Sequence, residues 1–248
     1  MRGFTHGFTR GFTLTELAVV LVILGLLLAG TAATLSAQVE SRNRADTQRR
    51  LEDAKELLIG FALVNGRLPC PGTATGDEAG GGAAACANSY AGFLPARAIG
   101  FQPTDAAGFG LDAWGHRLRY AVSASAWGAA PARYTRQHAA AAPWSITQTP
   151  ADLVICSTSP AAGAQTTCDA GTSVTNLNTV VAIVFSTGRN SASGGSGANE
   201  ARNLDGNALF VSRVPDPPSA AGGEFDDLLA WIPVGQLYGR MIAAGVLP

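Results

Sequence analysis

An apolar run close to the start of the chain constrains the structure more than any other feature of the sequence. No charged residue occurs between Leu17 and Ala33, and the run extends from Phe12 to Ala37 with Glu16 as its single charge. About 26 helical residues would reach about 39 Å, whereas a bilayer core of about 30 Å needs about 20 residues. We therefore predict that residues 12–37 form a membrane-spanning helix.

The residues before this helix predict its orientation. Arg2 and Arg10 precede it, and no acidic residue lies before Glu16, so the N-terminus is expected to stay in the cytoplasm and the rest of the chain outside it. A charge within a membrane helix is costly unless it is paired, and Glu16 therefore implies a partner. The alternative is an ordinary secretory signal peptide with a cleavage site after Ala33 or Ala37, but such peptides have a shorter apolar core.

The helix is expected to continue beyond the membrane as an amphipathic segment, residues 38–66. Apolar residues recur there at steps of three and four, which is the helical period. They are Leu51, Ala54, Leu58 and Phe61, with Leu57 and Val64 widening the stripe. Asn65 and Gly66, followed by Pro69, predict its end. One helix is thus expected from Thr13 to about Val64.

Residues 67–248 have the pattern of a β-rich domain. Five short apolar runs separated by turn-rich stretches predict strands within residues 117–123, 152–157, 179–186, 208–214 and 228–233. Because no long helical pattern separates these runs, they favour an antiparallel sheet that packs on the apolar stripe of the long helix. A short terminal helix follows. The expected fold class is α+β.

The four cysteines allow three disulfide connectivities. The local pairing, Cys70–Cys86 with Cys156–Cys168, is favoured because each pair encloses a loop that has little apolar core of its own. Disulfides require an oxidising compartment, which agrees with the predicted orientation. Four reduced thiols are the alternative.

No catalytic motif is apparent, and the chain is not expected to be an enzyme. There is neither a Gly-x-Ser-x-Gly elbow nor a phosphate-binding loop. His116 and His138 are expected to be a turn residue and a loop residue. With a net charge of −1 and 14% charged residues, the chain has no basic field that would indicate nucleic acid.

Two acidic stretches late in the chain contain oxygen ligands of the kind that calcium prefers. The candidate ligands are Asp205, Asn207, Asp226 and Asp227. Calcium takes six to eight oxygen atoms, and these residues have no defined ligand spacing. Solvated loops are therefore the favoured interpretation, and neither a metal nor another cofactor is expected.

The stretch that begins at Gly11, GFTLTELAVVLVILG, resembles the N-terminal signature of type IV prepilins and of the pseudopilins of type II secretion. In that family, prepilin peptidase removes a basic leader after a glycine, the new N-terminal Phe is N-methylated, and the fifth mature residue is Glu. The resemblance implies that residues 1–11 are a leader, that cleavage separates Gly11 from Phe12, and that Glu16 acts in assembly. The earlier Gly-Phe pairs, at Gly3 and Gly7, have no Glu at this distance.

The resemblance also implies partners, a location and a function. Glu16 would pair with the Phe12 amine of a neighbouring pilin subunit. Other expected partners are prepilin peptidase, the inner-membrane assembly platform and, before assembly, lipid. The chain would reside in the bacterial inner membrane with its C-terminal domain in the periplasm, and afterwards in a filament. It is expected to be a structural subunit, a minor pilin or a pseudopilin.

Two alternatives to this function stay open. The first is a tip pilin that binds a surface, a secreted protein or DNA through its outer loops, because residues 124–152 and 188–207 exceed a minimal pilin. The second is a periplasmic enzyme held by an uncleaved signal anchor. Leu68-Pro69, Trp114-Gly115 and Tyr120 are similar to the body of pseudopilins, whereas Ala33 stands where many family members have proline.

Overall fold

The structure, a computed structural model, describes residues 11, 13–82, 85–127, 133–137, 144, 150–161, 166–191, 197–220 and 222–247, without the side chains of residues 28–35. The chain divides into two units, Met1–Asn43 and Arg44–Pro248. The first helix, α1, spans Leu14–Asn65 and contributes to both units. Its bounds agree with the helix predicted from Thr13 to about Val64.

In the first unit, α1 presents apolar side chains around its whole circumference. Every large apolar side chain described between Leu14 and Leu27 is at least 46% exposed. No helix in the described part of the chain combines the length and the apolarity needed to cross a membrane. The predicted span, residues 12–37, includes Phe12 and the side chains of residues 28–35, which lie outside that part.

In the second unit, α1 is amphipathic and buries one face in the main core. The fully buried apolar side chains on this face are those of Leu51, Ala54, Leu58, Ile59 and Ala62.

The prediction that Leu57 and Val64 widen the buried stripe is wrong, since Val64 is 85% exposed and Leu57 is also exposed. At about 100° per residue, Leu57 and Val64 lie about 120° and about 140° around the helix from the buried Leu51, whereas Ile59 lies about 80° from it. Ile59 and Ala62 widen the buried face instead.

The remaining elements form an α+β domain around a four-stranded sheet. The strands are β1 Gly92–Phe93, β2 Arg119–Val122, β3 Val154–Cys156, β4 Val180–Ser186, β5 Leu209–Val211 and β6 Leu228–Pro233. The helices after α1 are α2 Ala96–Ile99, α3 Ala198–Asn203 and α4 Val234–Ala243. The main sheet has the order β1-β2-β4-β6, and all its neighbouring strands are antiparallel. The predicted antiparallel sheet and the short C-terminal helix are therefore confirmed.

The expectation that all five predicted strands share one sheet is wrong. β3 and β5 pair with each other in parallel, in a separate two-stranded sheet. The physical reason is that β4 is apolar on both faces, so a second layer must cover it. Val184 faces the core that contains α1, whereas Ile183 and Phe185 pack in a second core with residues of β3 and β5.

Both disulfides of the favoured local pairing form. Cys70–Cys86 closes the loop that follows α1. Cys156–Cys168 joins the end of β3 to the loop after it. No cysteine is left as a free thiol, and the alternative of four reduced thiols is excluded in this structure.

Candidate functional site

The first turn of α1 holds Glu16, the acid that the sequence singled out, and gives it a local partner. The backbone N–H and the hydroxyl of Thr13 both donate to Oε2 of Glu16, each at 2.8 Å. In return, the backbone N–H of Glu16 donates to Oγ1 of Thr13 at 3.3 Å. The carbonyl of Thr13 accepts the first helical hydrogen bond, from Leu17. This arrangement is a capping box, which satisfies backbone donors at a helix start.

The capping box shows a function of Glu16 that the sequence reasoning did not assign. Thr13 and Glu16 have the S/T-x-x-E spacing by which such boxes can be found. The carboxylate is exposed, and Gly11 and Thr13 are exposed as well. Phe12, the other residue at the predicted cleavage site, lies outside the described residues. The Glu16 carboxylate is therefore held at the end of the helix where cleavage would create a new amine.

A second candidate site is a cluster of three buried carboxylates in the domain. Glu200 of α3 and the consecutive Asp226 and Asp227, just before β6, bring ligand atoms within 4.8 Å of one another. None of the three is more than 4% exposed. Two of the four predicted calcium ligands thus come together. Asp205 instead pairs with Arg202 at 3.0 Å and accepts the backbone N–H of Asn207.

Glu200 was missed because it stands 26 residues before Asp226 in a stretch predicted to be a loop. Its position on α3 depends on a tertiary contact that no spacing reveals. The backbone N–H of Asp226 donates to Oε1 of Glu200 at 2.9 Å, and this bond joins α3 to the segment before β6.

Amide donors hold most of the carboxylate oxygens of this acidic cluster. Nδ2 of Asn190 lies 3.0 Å from both oxygens of Glu200, and Nδ2 of Asn203 lies 2.6 Å from Oδ2 of Asp227. Oδ2 of Asp226 accepts the backbone N–H of Arg189 at 3.1 Å, whereas its Oδ1 is buried with no hydrogen-bond partner.

The backbone beside the cluster leaves little room for a side chain. Gly188 has a φ of 62°, and a Cβ atom there would overlap the carboxylate of Asp226. A glycine at this position therefore permits both the left-handed backbone and the close approach of the acid.

Burial gives this cluster unusual acid–base properties. Loss of hydration, reinforced by the charges of Glu200 and Asp226, raises the pKa of Asp227 to about 8. Loss of hydration, reinforced by Glu200 and Glu224, raises the pKa of Asp226 to about 6. Such a site favours a bound proton or a small cation, either of which reduces the repulsion.

The oxygen-only donor set and the unpartnered Oδ1 of Asp226 fit a hard divalent cation such as calcium. Glu200, Asp226 and Asp227 would hold it.

Hydrogen bonds connect a serine, an aspartate and a histidine around the turn that precedes β2. Oγ of Ser186, which is fully buried, donates to Oδ2 of Asp112 at 2.5 Å. Oδ1 of Asp112 accepts the backbone N–H groups of Trp114 and His116, and this explains the Asp-x-Trp-Gly turn. Nδ1 of His116 lies 2.8 Å from the carbonyl oxygen of Gly188.

The other sequence candidates are distributed over the loops. Asp152 accepts the hydroxyl of Tyr90 at 2.6 Å and the backbone N–H of Ala124. His138 and much of the predicted insertion 124–152 lie outside the described residues. The absence of enzymatic activity stays a prediction.

Comparison with known proteins identifies the N-terminal segment. Residues 6–32 match the prokaryotic N-terminal methylation motif. No curated protein and no solved structure matches the chain. The matched segment contains Gly11, Phe12 and Glu16. The chain therefore carries the N-terminal methylation motif that is the signature of type IV pilin and pseudopilin precursors.

Proposed function

We propose that the chain is the precursor of a structural filament subunit, either a minor pilin of a type IV pilus or a pseudopilin of a type II secretion system. The observation that carries the proposal is the methylation motif at residues 6–32. From Leu14 onwards this segment belongs to α1, which exposes every large apolar side chain described between Leu14 and Leu27. Such a helix needs lipid or other helices to cover it in water. In a filament precursor, lipid would cover this helix first, and the helices of neighbouring subunits would cover it after assembly.

Maturation begins with removal of the leader, residues 1–11. Prepilin peptidase cleaves between Gly11 and Phe12 on the cytoplasmic side, and the new amine of Phe12 is methylated. The precursor is anchored in the bacterial inner membrane with its C-terminal domain in the periplasm, where the two disulfides form. Lipid covers the apolar helix until the assembly platform transfers the subunit into the filament.

Glu16 pairs with the Phe12 amine of a neighbouring subunit during this transfer. Its carboxylate is exposed in the single chain, but an apolar filament core would exclude water from it. An unpaired charge there is costly, whereas a charge with an opposite partner costs much less. The position of the carboxylate at the very start of α1 supports contact with an amine at the same end of another chain.

Intact-mass measurement of the protein extracted from membranes tests the processing. We expect a chain that begins at Phe12 and carries one added methyl group. Gly11→Leu should block cleavage, and Gly7→Leu is the matched control because Gly7 stands in the same Gly-Phe-Thr context. Retention of Met1, or cleavage after Ala33 or Ala37, contradicts the proposal and favours a signal anchor or a secretory signal.

The assembled fraction of a correctly cleaved chain tests the function of Glu16. Glu16→Ala should leave cleavage intact and reduce the fraction of subunits in filaments. The alternative of a signal-anchored enzyme predicts that this substitution has no effect on the protein.

A further inference from the structure

An arginine of the main sheet is stacked on an aromatic ring but has no acid beside it. The guanidinium carbon of Arg119, in β2, lies 4.6 Å from the ring centroid of Phe93, its cross-strand neighbour in β1. Both residues are half-buried. Because Tyr120 packs in the main core, Arg119 lies on the opposite side of the sheet, where its other cross-strand neighbour is Phe185 of β4. The charged side chain is therefore placed between two strands that offer it apolar rings.

Arg119 differs in this respect from most arginines of the domain. The arginines that pair with a carboxylate include Arg50, Arg67, Arg97, Arg117, Arg189, Arg202, Arg213 and Arg240. Within the described part of the chain, the Arg119 side chain has neither a hydrogen bond nor an ion pair. Burial lowers the pKa of the Arg119 guanidinium, whereas a hydrogen bond to Glu78 raises the pKa of Arg67. The charge of Arg119 is thus partly removed from water, and no acid replaces the lost hydration.

Stacking leaves the hydrogen-bonding edge of this guanidinium available. A guanidinium contacts a ring through its flat face, whereas its N–H donors lie in its plane and form a fork that matches a carboxylate. Among the described residues, the buried polar atoms that lack a partner do not include any nitrogen of Arg119. Its donors are therefore open to water and to a ligand.

Phe93 and Arg119 belong to a larger group of rings and arginines, here called the ring array, which also contains Phe109 and Arg117. The ring centroids of Phe93 and Phe109 lie 4.9 Å apart, and the guanidinium carbon of Arg117 lies 4.2 Å from the centroid of Phe109. Nε of Arg117 donates to Oδ2 of Asp105 at 2.7 Å. Arg117 is therefore neutralised, and Arg119 supplies the uncompensated charge of the ring array. Aromatic residues and arginine are enriched where proteins bind one another.

We propose that Arg119 and Phe93 form a binding site for an acidic peptide segment of another protein. An Asp or Glu carboxylate of the segment accepts the free N–H donors of Arg119, and an apolar side chain next to that acid packs against the Phe93 ring. The carboxylate supplies the opposite charge that the chain itself does not. Because the guanidinium is already half-buried and held by the ring, its pairing costs less desolvation and less ordering than at a fully exposed arginine. The site lies on β1 and β2, apart from the outer loops 124–152 and 188–207.

The balance of charge in the ring array favours a peptide over a nucleic acid. A nucleic acid is held by several arginine or lysine contacts to successive phosphates. The ring array offers the uncompensated charge of Arg119 alone, and the carboxylate of Asp105 beside Arg117 would repel a neighbouring phosphate. A single carboxylate flanked by apolar side chains matches both the charge and the rings.

A display library of random heptapeptides, selected on the full chain in a neutral detergent, tests the site. We expect the enriched peptides to share one Asp or Glu next to an apolar residue. A synthetic copy of the most enriched peptide should bind Arg119→Gln about ten- to hundredfold more weakly than the native chain, because hydrogen bonds between charged groups are lost. Replacing the acid of the peptide by its amide should weaken binding to the native chain by a similar factor and have little effect on Arg119→Gln.

Two further variants complete this test. Arg119→Lys keeps the charge but loses the planar fork, so it should bind the peptide more weakly than the native chain and more tightly than Arg119→Gln. Arg42→Gln is the matched control, since Arg42 is an exposed arginine of α1 and should leave the affinity unchanged. Formation of both disulfides in each variant shows that the domain has folded.

The remaining outcomes each overturn the inference. A library that yields no acidic consensus refutes the site, and so does a peptide that binds the native chain and Arg119→Gln equally well. If a single-stranded oligonucleotide binds the native chain more tightly than Arg119→Gln, the site recognises phosphate and not an acidic peptide. A dimer of the native chain that Arg119→Gln abolishes assigns the site to a second copy. Peptide binding needs only the folded domain, so its result does not depend on whether the chain is cleaved after Gly11 or enters a filament.

Discussion

The buried acidic cluster makes the stability of the domain depend on pH, and Asp227→Asn isolates its contribution. Burial and the neighbouring charges raise the pKa of Asp227 to about 8, whereas an aspartate in an unfolded chain titrates near about 3.9. Between these values the folded domain holds a proton that the unfolded chain releases. The stabilising contribution of this proton is complete below about pH 4 and is lost as the pH rises through about 8.

The size of the effect follows from the two pKa values. A difference of about four pH units corresponds to about 5 kcal/mol. Because the neighbouring Asp226, whose pKa is also raised, competes for the same proton, we expect the free energy of unfolding to fall by about 3–4 kcal/mol between pH 5 and 8. For a domain of this size, 1 kcal/mol shifts Tm by about 2–4 °C, so Tm should fall by about 10 °C.

Asn at position 227 removes the charge while its carbonyl oxygen can still accept the hydrogen bond from Asn203. The fall in Tm for Asp227→Asn should therefore be less than half that of the native protein.

Thermal unfolding of the purified protein, followed by circular dichroism from pH 5 to pH 8 in the presence of a chelator, measures both curves. Asp169→Asn is the matched control, because Asp169 is an exposed aspartate that directly follows Cys168, away from the acidic cluster. Calcium added at pH 8 should raise the Tm of the native protein and have little effect on Asp227→Asn. Parallel curves for the native protein and Asp227→Asn, or a variant that is less stable than the native protein at pH 8, would refute the reasoning.

Three further predictions concern the helix and the disulfides. Leu58→Ala should lower the free energy of unfolding by about 2–5 kcal/mol in a chemical denaturation experiment, because it opens a cavity in the main core. Leu57→Ala, at an exposed position, should lower it far less. Equal losses for the two variants would contradict the assigned helix face. Replacing Cys156 and Cys168 together by serine should cost about 3 kcal/mol in the same assay, since the disulfide closes a short loop; an unchanged midpoint would show that this loop is ordered by other contacts. Thr13→Ala should speed amide hydrogen exchange in the first turn of α1 several-fold, whereas Thr15→Ala should not, and equal rates for the two variants would argue against the capping box.

The sequence predicted the elements of the fold better than it predicted their partners. The helical period, together with the lack of proline and glycine between Val39 and Gly60, indicated one continuous helix. Its predicted ends, Thr13 and about Val64, agree with those of α1 within a residue. Each of the five apolar runs contains a strand. The two-residue strand β1 and the short helices α2 and α3 were missed, because all three are too short to produce a periodic pattern.

Pairing could not be predicted because it depends on contacts between distant parts of the chain. Nothing in the runs at 152–157 and 208–214 shows that β3 and β5 pair with each other rather than with β4. The continuous apolar run of β4 does signal burial on both faces, and from it a second covering layer could have been inferred. Leu57 shows that an apolar residue can also be wrongly predicted to be buried, since a residue next to a buried stripe can still lie on the exposed face of the helix.

The two candidate sites also differ in how far the sequence alone could predict their residues. Gly11, Phe12 and Glu16 could be proposed from the sequence because they lie within one short motif, residues 6–32, whose residue order is characteristic. The acidic cluster could be found only in part, because Asp226 and Asp227 are adjacent whereas Glu200 reaches them through the packing of α3. The capping role of Glu16 was accessible from its spacing to Thr13, but the resemblance to prepilins directed attention to a partner in another chain.

The bonds from Thr13 to Glu16 bear on the energetics of polymer growth. The Glu16 carboxylate already accepts two hydrogen bonds from Thr13 in the free chain, so it is not left without a partner before assembly. The amine of a neighbouring chain would compete with the N–H and the hydroxyl of Thr13 for the Glu16 carboxylate, so its binding would exchange one set of hydrogen bonds for another. In the proposed filament, the net gain from this pair is therefore smaller than it would be for an acid that had no partner in the free chain.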